Sequence, residues 1–183
     1  MTNAPRVVLD AEGVARALRR IADEIAERNS GARNVALVGI RRGGVPLAAR
    51  LAELYADAEG VRPAEGAVDI TLYRDDASTA LPKPVIGPTE LPFAVDDKVI
   101  VLVDDVLFTG RTVRCAIDVV LDYGRPRAIQ LAALIDRGGR ELPIRADYLG
   151  KEVAADADEH VEVTLEAVTI GKVPPPPTKG TKR

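Results

Sequence analysis

Apolar residues recur at helical spacing through Val14, Leu18, Ile21, Ala22 and Ile25, while Arg16, Arg19, Arg20, Asp23 and Glu27 fill the opposite face. That period predicts an amphipathic helix starting near Ala11. Asp10 is its expected cap, and Asn29-Ser30-Gly31 its end. Val35-Ala36-Leu37-Val38-Gly39-Ile40 carries no polar alternation, the pattern of a strand buried in a parallel sheet. After Arg41-Arg42-Gly43-Gly44, residues Leu47, Leu51 and Leu54 mark a second helix. Asp69-Ile70-Thr71-Leu72-Tyr73 alternates and predicts another strand. From Arg74 to about Asp97 the chain is rich in Pro, Asp, Ser and Thr. A loop of that length in a compact domain is often a functional lid, so a flexible lid is expected there.

The run Val99-Ile100-Val101-Leu102-Val103 predicts a buried strand. Val113, Ala116, Ile117, Val120 and Leu121 give the next amphipathic face, which Gly124 stops. Ile129 to Ile135 reads as a strand, and Tyr148-Leu149 and Val161 to Val168 as shorter ones. Strands alternating with helices imply an α/β fold: a mainly parallel sheet with helices on both faces. One domain over residues 1–170 is expected. Residues 171–183, with Pro174-Pro175-Pro176-Pro177, lack apolar side chains for packing and read as a disordered, Pro-rich tail.

Composition narrows the chemistry. Aromatic residues make up 3% and Trp is absent, so aliphatic side chains must build the core. The net charge of −3 argues against a surface that is nucleic-acid footprint throughout, yet leaves room for a local basic patch. Cys115 is the only cysteine, so no intrachain disulfide forms. His160 is the only histidine, which excludes histidine-based metal clusters. Neither a signal-peptide pattern nor a membrane-length apolar run occurs, and a cytoplasmic setting is expected.

The chemistry concentrates in Asp104-Asp105-Val106-Leu107-Phe108-Thr109-Gly110-Arg111-Thr112. This stretch joins a buried strand to a helix N-terminus, where unpaired N–H groups and the helix dipole favour an anion. Thr109 and Thr112 add hydroxyls, and Gly110 allows close backbone approach. Two carboxylates would repel a bare phosphate. Ribose hydroxyls and a hard cation such as Mg²⁺ are their natural partners. The loop therefore reads as a sugar-phosphate site, with Asp104 and Asp105 toward the sugar and residues 108–112 toward the phosphate. Neither a Walker loop nor a dinucleotide fingerprint is present. Arg41-Arg42-Gly43-Gly44 is a second candidate: two arginines and freed N–H groups suit a pyrophosphate.

The run Val99 to Thr112 closely resembles the phosphoribosyl-pyrophosphate signature of type I phosphoribosyltransferases. Further stretches resemble the PyrR family of bacterial pyrimidine-operon regulators: Asp69 to Asp76, Val101 to Arg114, Gly124-Arg125-Pro126, and Asp136-Arg137-Gly138 with Arg140 to Tyr148. The likeness runs from about Val7 to Val168. It implies a type I phosphoribosyltransferase fold with a small hood and a flexible lid. It implies uracil phosphoribosyltransferase activity, making UMP and pyrophosphate from uracil and phosphoribosyl pyrophosphate. It further implies transcription attenuation through UMP-dependent binding to the leader mRNA of pyrimidine genes. Asp104, Asp105 and Arg74 are the implied catalytic residues, with Mg²⁺ held by the two aspartates mainly through the substrate. Arg41, Arg42 and Gly43 would hold pyrophosphate, and Arg137 with Val161 the base. A homodimer or larger homo-oligomer is implied, with no membrane association.

The chain departs from that family in places. The family usually has Thr-Arg at Arg42-Gly43, a histidine at Gly139, and a Thr and a His at Arg19 and Asp23. Its polar and basic groups near residues 154–159 are replaced by Ala, Asp and Glu. Arg20, Arg28, Arg140, Arg145 and Lys151 remain, with Arg19 added, as a candidate RNA-binding patch. Two alternatives follow: a transferase without RNA binding, acting on uracil or another nucleobase, or an RNA-binding regulator whose nucleotide site only senses.

Overall fold

The computed structural model describes residues 5–29, 32–70, 88–156 and 158–172. The chain runs through strand β1 (Arg6–Leu9), helix α1 (Ala11–Asn29), β2 (Val35–Ile40), α2 (Gly44–Glu59) and β3 (Ala64–Val68). It continues with β4 (Val99–Leu107), α3 (Arg111–Asp122), β5 (Ala128–Asp136), β6 (Tyr148–Glu152), β7 (Glu159–Val163) and β8 (Val168–Lys172). Five strands form a wholly parallel sheet in the order β3-β2-β4-β5-β6. The order reverses between β2 and β4, because β3 lies outside β2 on one side and β5 outside β4 on the other. At such a switch point the loops after the two strands diverge and leave a crevice. The two loops here are Arg41-Arg42-Gly43 and Phe108-Thr109-Gly110.

The sheet separates two apolar cores. On one face, α1 and α2 pack Leu18, Ile21, Ile25, Leu47, Leu51 and Tyr55 against Leu37, Val101 and Leu134. On the other, α3 packs Val113, Cys115, Ala116, Val119 and Val120 against Val38, Ile100, Leu102 and Leu131. The expected stripe on α3 is therefore rotated: Cys115 and Val119 belong to it, and Leu121 is 52% exposed. The Asp10 cap forms, its carboxylate accepting from the Gly13 N–H at 2.8 Å. A smaller antiparallel sheet, β1-β8-β7, is the hood.

Several boundaries differ from expectation. The strand expected at Asp69–Tyr73 lies earlier, at Ala64–Val68, an edge strand whose small residues carry no apolar alternation. Asp69 and Ile70 follow it outside the strand, and residues 71–73 lie outside those described. Residues 88–97, expected in the lid, pack on the sheet edge instead. Glu90 pairs with Ala67 through two 2.8 Å backbone hydrogen bonds, and Val95 is buried. The rest of the expected lid, through residue 87, lies outside the described residues. The predicted strand from Val161 to Val168 is two strands joined by a turn in which Thr164 and Ala167 bond. Gly171 and Lys172, expected in the tail, complete β8 instead, and residues 173–183 lie outside the described residues.

Candidate functional site

Asp104 and Asp105 stand inside β4, which runs through Leu107 rather than ending at Val103. Alternation along the strand turns them to opposite faces. Asp104 lines a cavity of about 440 Å³ together with Val106–Val113 and Cys115. Asp105 lines a second cavity, of about 350 Å³, with Val106, Phe108, Arg137, His160, Val161 and Glu162. Asp104 is only 5% exposed. Burial, reinforced by the charge of Asp105, pushes its carboxyl well above the ordinary aspartate range. The Asp105 N–H donates to the Asp104 carboxylate at 3.1 Å, and the Val106 N–H to Asp105 at 2.9 Å.

The loop after β4, where a sugar phosphate is expected, reverses the chain at Gly110, whose φ of 90° favours glycine and which precedes the first turn of α3. Thr109, Gly110, Arg111 and Thr112 all line the larger cavity, so the helix N-terminus and two hydroxyls face it together. The Arg111 guanidinium is engaged at the rim by Glu141, 2.6 Å away.

The Arg41–Gly44 turn packs hard against the end of β4. A Cβ on Gly44 would fall 2.0 Å from the Val103 carbonyl oxygen, and one on Gly43 2.0 Å from the Asp105 carboxylate. Only glycine lets this turn lie so close to β4 at Gly44, and the Arg41–Arg42 peptide is cis. Arg41 bonds the Pro88 carbonyl at 3.0 Å and approaches Glu90 at 3.6 Å, while Arg42 is exposed. Arg74 lies outside the described residues.

In the second cavity, Arg137 sets its guanidinium over the Phe108 ring at 4.4 Å. It donates to the carbonyls of Glu159 at 3.1 Å and Asp156 at 3.0 Å, which fastens the hood to β5. Val161 is buried on the cavity wall. His160, singled out at first only as the lone histidine, lines the same cavity from β7; no short motif marks it, because the hood reaches the site through tertiary packing.

The six basic residues expected to face RNA do not behave alike. Arg19 approaches Asp57 at 3.7 Å, and Arg20 donates to the Leu149 and Gly150 carbonyls. Arg28 pairs with Asp147 at 2.9 Å and lies over the Tyr148 ring. Lys151 reaches the Val8 carbonyl at 3.5 Å, and Arg145 is exposed. Arg140 is the exception: its donors turn inward, toward the carbonyls of Leu107, Phe108, Gly138 and Ile144 and the Asp136 carboxylate. Its guanidinium meets more of the protein's own acceptors than those of the other five.

A parallel sheet in this order, with its sugar-phosphate loop at the switch point and a hood above it, is the type I phosphoribosyltransferase fold. Residues 7–166 match the family model described as the phosphoribosyl transferase domain. Among curated relatives, the "Bifunctional protein PyrR" of Pelotomaculum thermopropionicum is 58% identical, over 88% of this chain and 89% of its own length. The protein of the same name from Deinococcus radiodurans is 52% identical over 91% of each chain. The hypoxanthine phosphoribosyltransferase of Trypanosoma cruzi shares the fold, with a TM-score of 0.71 at 15% identity, over 91% of this chain and 96% of that one. The chain belongs to the PyrR family of phosphoribosyltransferases.

Proposed function

We propose that this chain transfers the phosphoribosyl group of phosphoribosyl pyrophosphate to uracil, giving UMP and pyrophosphate, and binds pyrimidine-gene leader mRNA in a UMP-dependent way. The observation that carries the reading is the joining of a sugar-phosphate loop to identity above one half with PyrR relatives across nine-tenths of the chain. The 5′-phosphate sits against Phe108–Thr112. Asp104 and Asp105 hold the ribose hydroxyls. The Arg41–Gly44 loop takes the pyrophosphate, and the base enters the second cavity between Arg137 and Val161.

Displacing pyrophosphate from the anomeric carbon builds positive charge on the sugar and negative charge on the leaving group. The carboxylates offset the first, and the arginines and freed N–H groups the second. No covalent nucleophile is required. The expected role of Arg74 is to neutralise charge on the departing pyrophosphate. The donor set fits Mg²⁺ carried on the substrate: two carboxylates are present, and no group of three or more acidic, His or Cys side chains gathers among the described residues. Bound there, Mg²⁺ supplies charge neutralisation at the pyrophosphate.

For RNA, the reading takes Arg20, Arg28, Arg145 and Lys151, with Arg19, on the α1–β6 side. A homodimer that pairs these faces is expected. Among the described residues no helix is long and apolar enough to cross a membrane.

A transferase without RNA binding is the second reading. The ion pairs of Arg19 and Arg28, and the exposed Glu152 next to Lys151 on β6, favour it. Pyrophosphate release is measured with phosphoribosyl pyrophosphate, Mg²⁺ and uracil, hypoxanthine or guanine in turn. Release with uracil is expected. Release only with a purine rejects uracil, and none with any base rejects the enzyme. A gel shift with a pyrimidine-operon leader, with and without UMP, separates the two readings.

A further inference from the structure

We infer that Arg140 is a positioning residue for the sugar-phosphate loop, holding the loop's backbone amides toward the bound phosphate. The inference rests on the phosphoribosyl reading of the Asp104–Thr112 loop. Arg140 lies on the segment after β5, and its side chain is 23% exposed. Nη1 donates to the Phe108 carbonyl at 2.5 Å, with the Leu107 and Gly138 carbonyls at 3.5 and 3.3 Å. Nε donates to the Ile144 carbonyl at 2.8 Å, and Nη2 pairs with the Asp136 carboxylate. One guanidinium thus ties the end of β4 to the end of β5 and to the segment beyond it.

Its neighbours complete the arrangement. The N–H groups of Glu141 and Leu142 both donate to the Thr109 carbonyl, at 3.0 and 3.1 Å. The carbonyls of Phe108 and Thr109 are therefore both fixed on the side of the 140–144 segment. In a trans peptide the carbonyl and the following N–H point in opposite directions. Fixing these two carbonyls turns the amides of Thr109 and Gly110 away from that segment, toward the cavity that both residues line. Two such amides beside the α3 N-terminus form an anion-binding nest. Behind Gly110, a Cβ would meet Ile144 at 3.3 Å and Leu142 at 3.4 Å, so the same segment backs the turn itself.

Lysine cannot replace this device. It brings one point charge, where the planar fork of arginine reaches several acceptors in fixed directions. Arg140→Lys keeps the charge and removes the fork. With the full-length protein, KM for phosphoribosyl pyrophosphate is expected to rise about tenfold, the effect of losing on the order of 1.4 kcal/mol of binding. KM for the base should move less than about twofold, with cooperative melting retained. Calorimetry with ribose 5-phosphate should show the same tenfold loss, and it tests the inference even if the wild type turns over no base. In Arg140→Ala, added guanidinium ion should restore part of the lost affinity. If Arg140→Ala does not fold, Asp136→Asn, which removes only the carboxylate anchoring Nη2, should shift donor affinity the same way by a smaller factor. Donor and ribose 5-phosphate affinities within about twofold of wild type in a folded Arg140→Lys protein would overturn the inference. A wild type that releases no pyrophosphate but loses ribose 5-phosphate affinity on Arg140→Lys overturns the enzyme reading and leaves the positioning role standing.

Discussion

The larger cavity is lined by one nearly continuous stretch, Asp104 and Val106–Val113 with Cys115, whereas the cavity beneath the hood draws on β4, the end of β5 and β7. The first is made of backbone amides, hydroxyls and a helix end, all within a dozen residues. The second depends on side chains more than fifty residues apart in sequence, brought together by Arg137 and the hood. On the proposed reading the first cavity takes the phosphate common to every substrate, which a local, fixed cradle suits, and the second takes the base, whose site is assembled from elements that vary separately.

That contrast can be broken at several points. The largest expected effect is at Asp104. Asp104→Asn should lower kcat/KM by on the order of 10²- to 10³-fold, the range for removing one preorganised electrostatic group. The same change should stabilise the free protein at neutral pH. Between the ordinary aspartate value and the raised one, the folded state holds a proton on Asp104 that the unfolded state has lost. Stability therefore falls as pH rises from the ordinary aspartate value through the raised one. Thermal melting across pH should show that fall in the wild type and its absence in the variant. Donor affinity should rise over the same window, because the ribose hydroxyls and Mg²⁺ call for the carboxylate.

Gly44→Ala comes next. With a Cβ 2.0 Å from the Val103 carbonyl oxygen, the turn must move off β4, at about 3 kcal/mol of stability by chemical denaturation. Arg137→Ala should release the hood and raise KM for the base about tenfold while sparing the donor. Equal rises in both would end the division of labour between the cavities. Smallest are Arg145→Gln and Lys151→Gln, each of which should reduce the salt slope of leader-RNA binding by about 1 with pyrophosphate release unchanged.

The strand–loop–helix around Asp104 was legible in the sequence because its strand is apolar, its turn needs Gly110 and its helix follows at once. The sheet and both flanking helices were legible for the same reason. The edge strand β3 was not: Ala64-Glu65-Gly66-Ala67 lacks an apolar face, and Gly66 is small because Glu90 crosses it, its carbonyl 2.8 Å from where a Cβ would sit. Strand β1 escaped notice, being four residues long with Val7 exposed. Arg140 looked like a surface cation because sequence gives charge but not direction. Only the folded chain brings Asp136 and three loop carbonyls around it.

Strand β1 stands near the start of the chain, yet its sheet partner is β8, with Arg6 opposite Ile170. During synthesis, β2 to β6 of the parallel sheet and the loop at Phe108–Gly110 leave the ribosome before β7 and β8. The hood must wait for Lys172. On the proposed reading, the nascent chain therefore completes its cavity for the sugar phosphate before its cavity for the base.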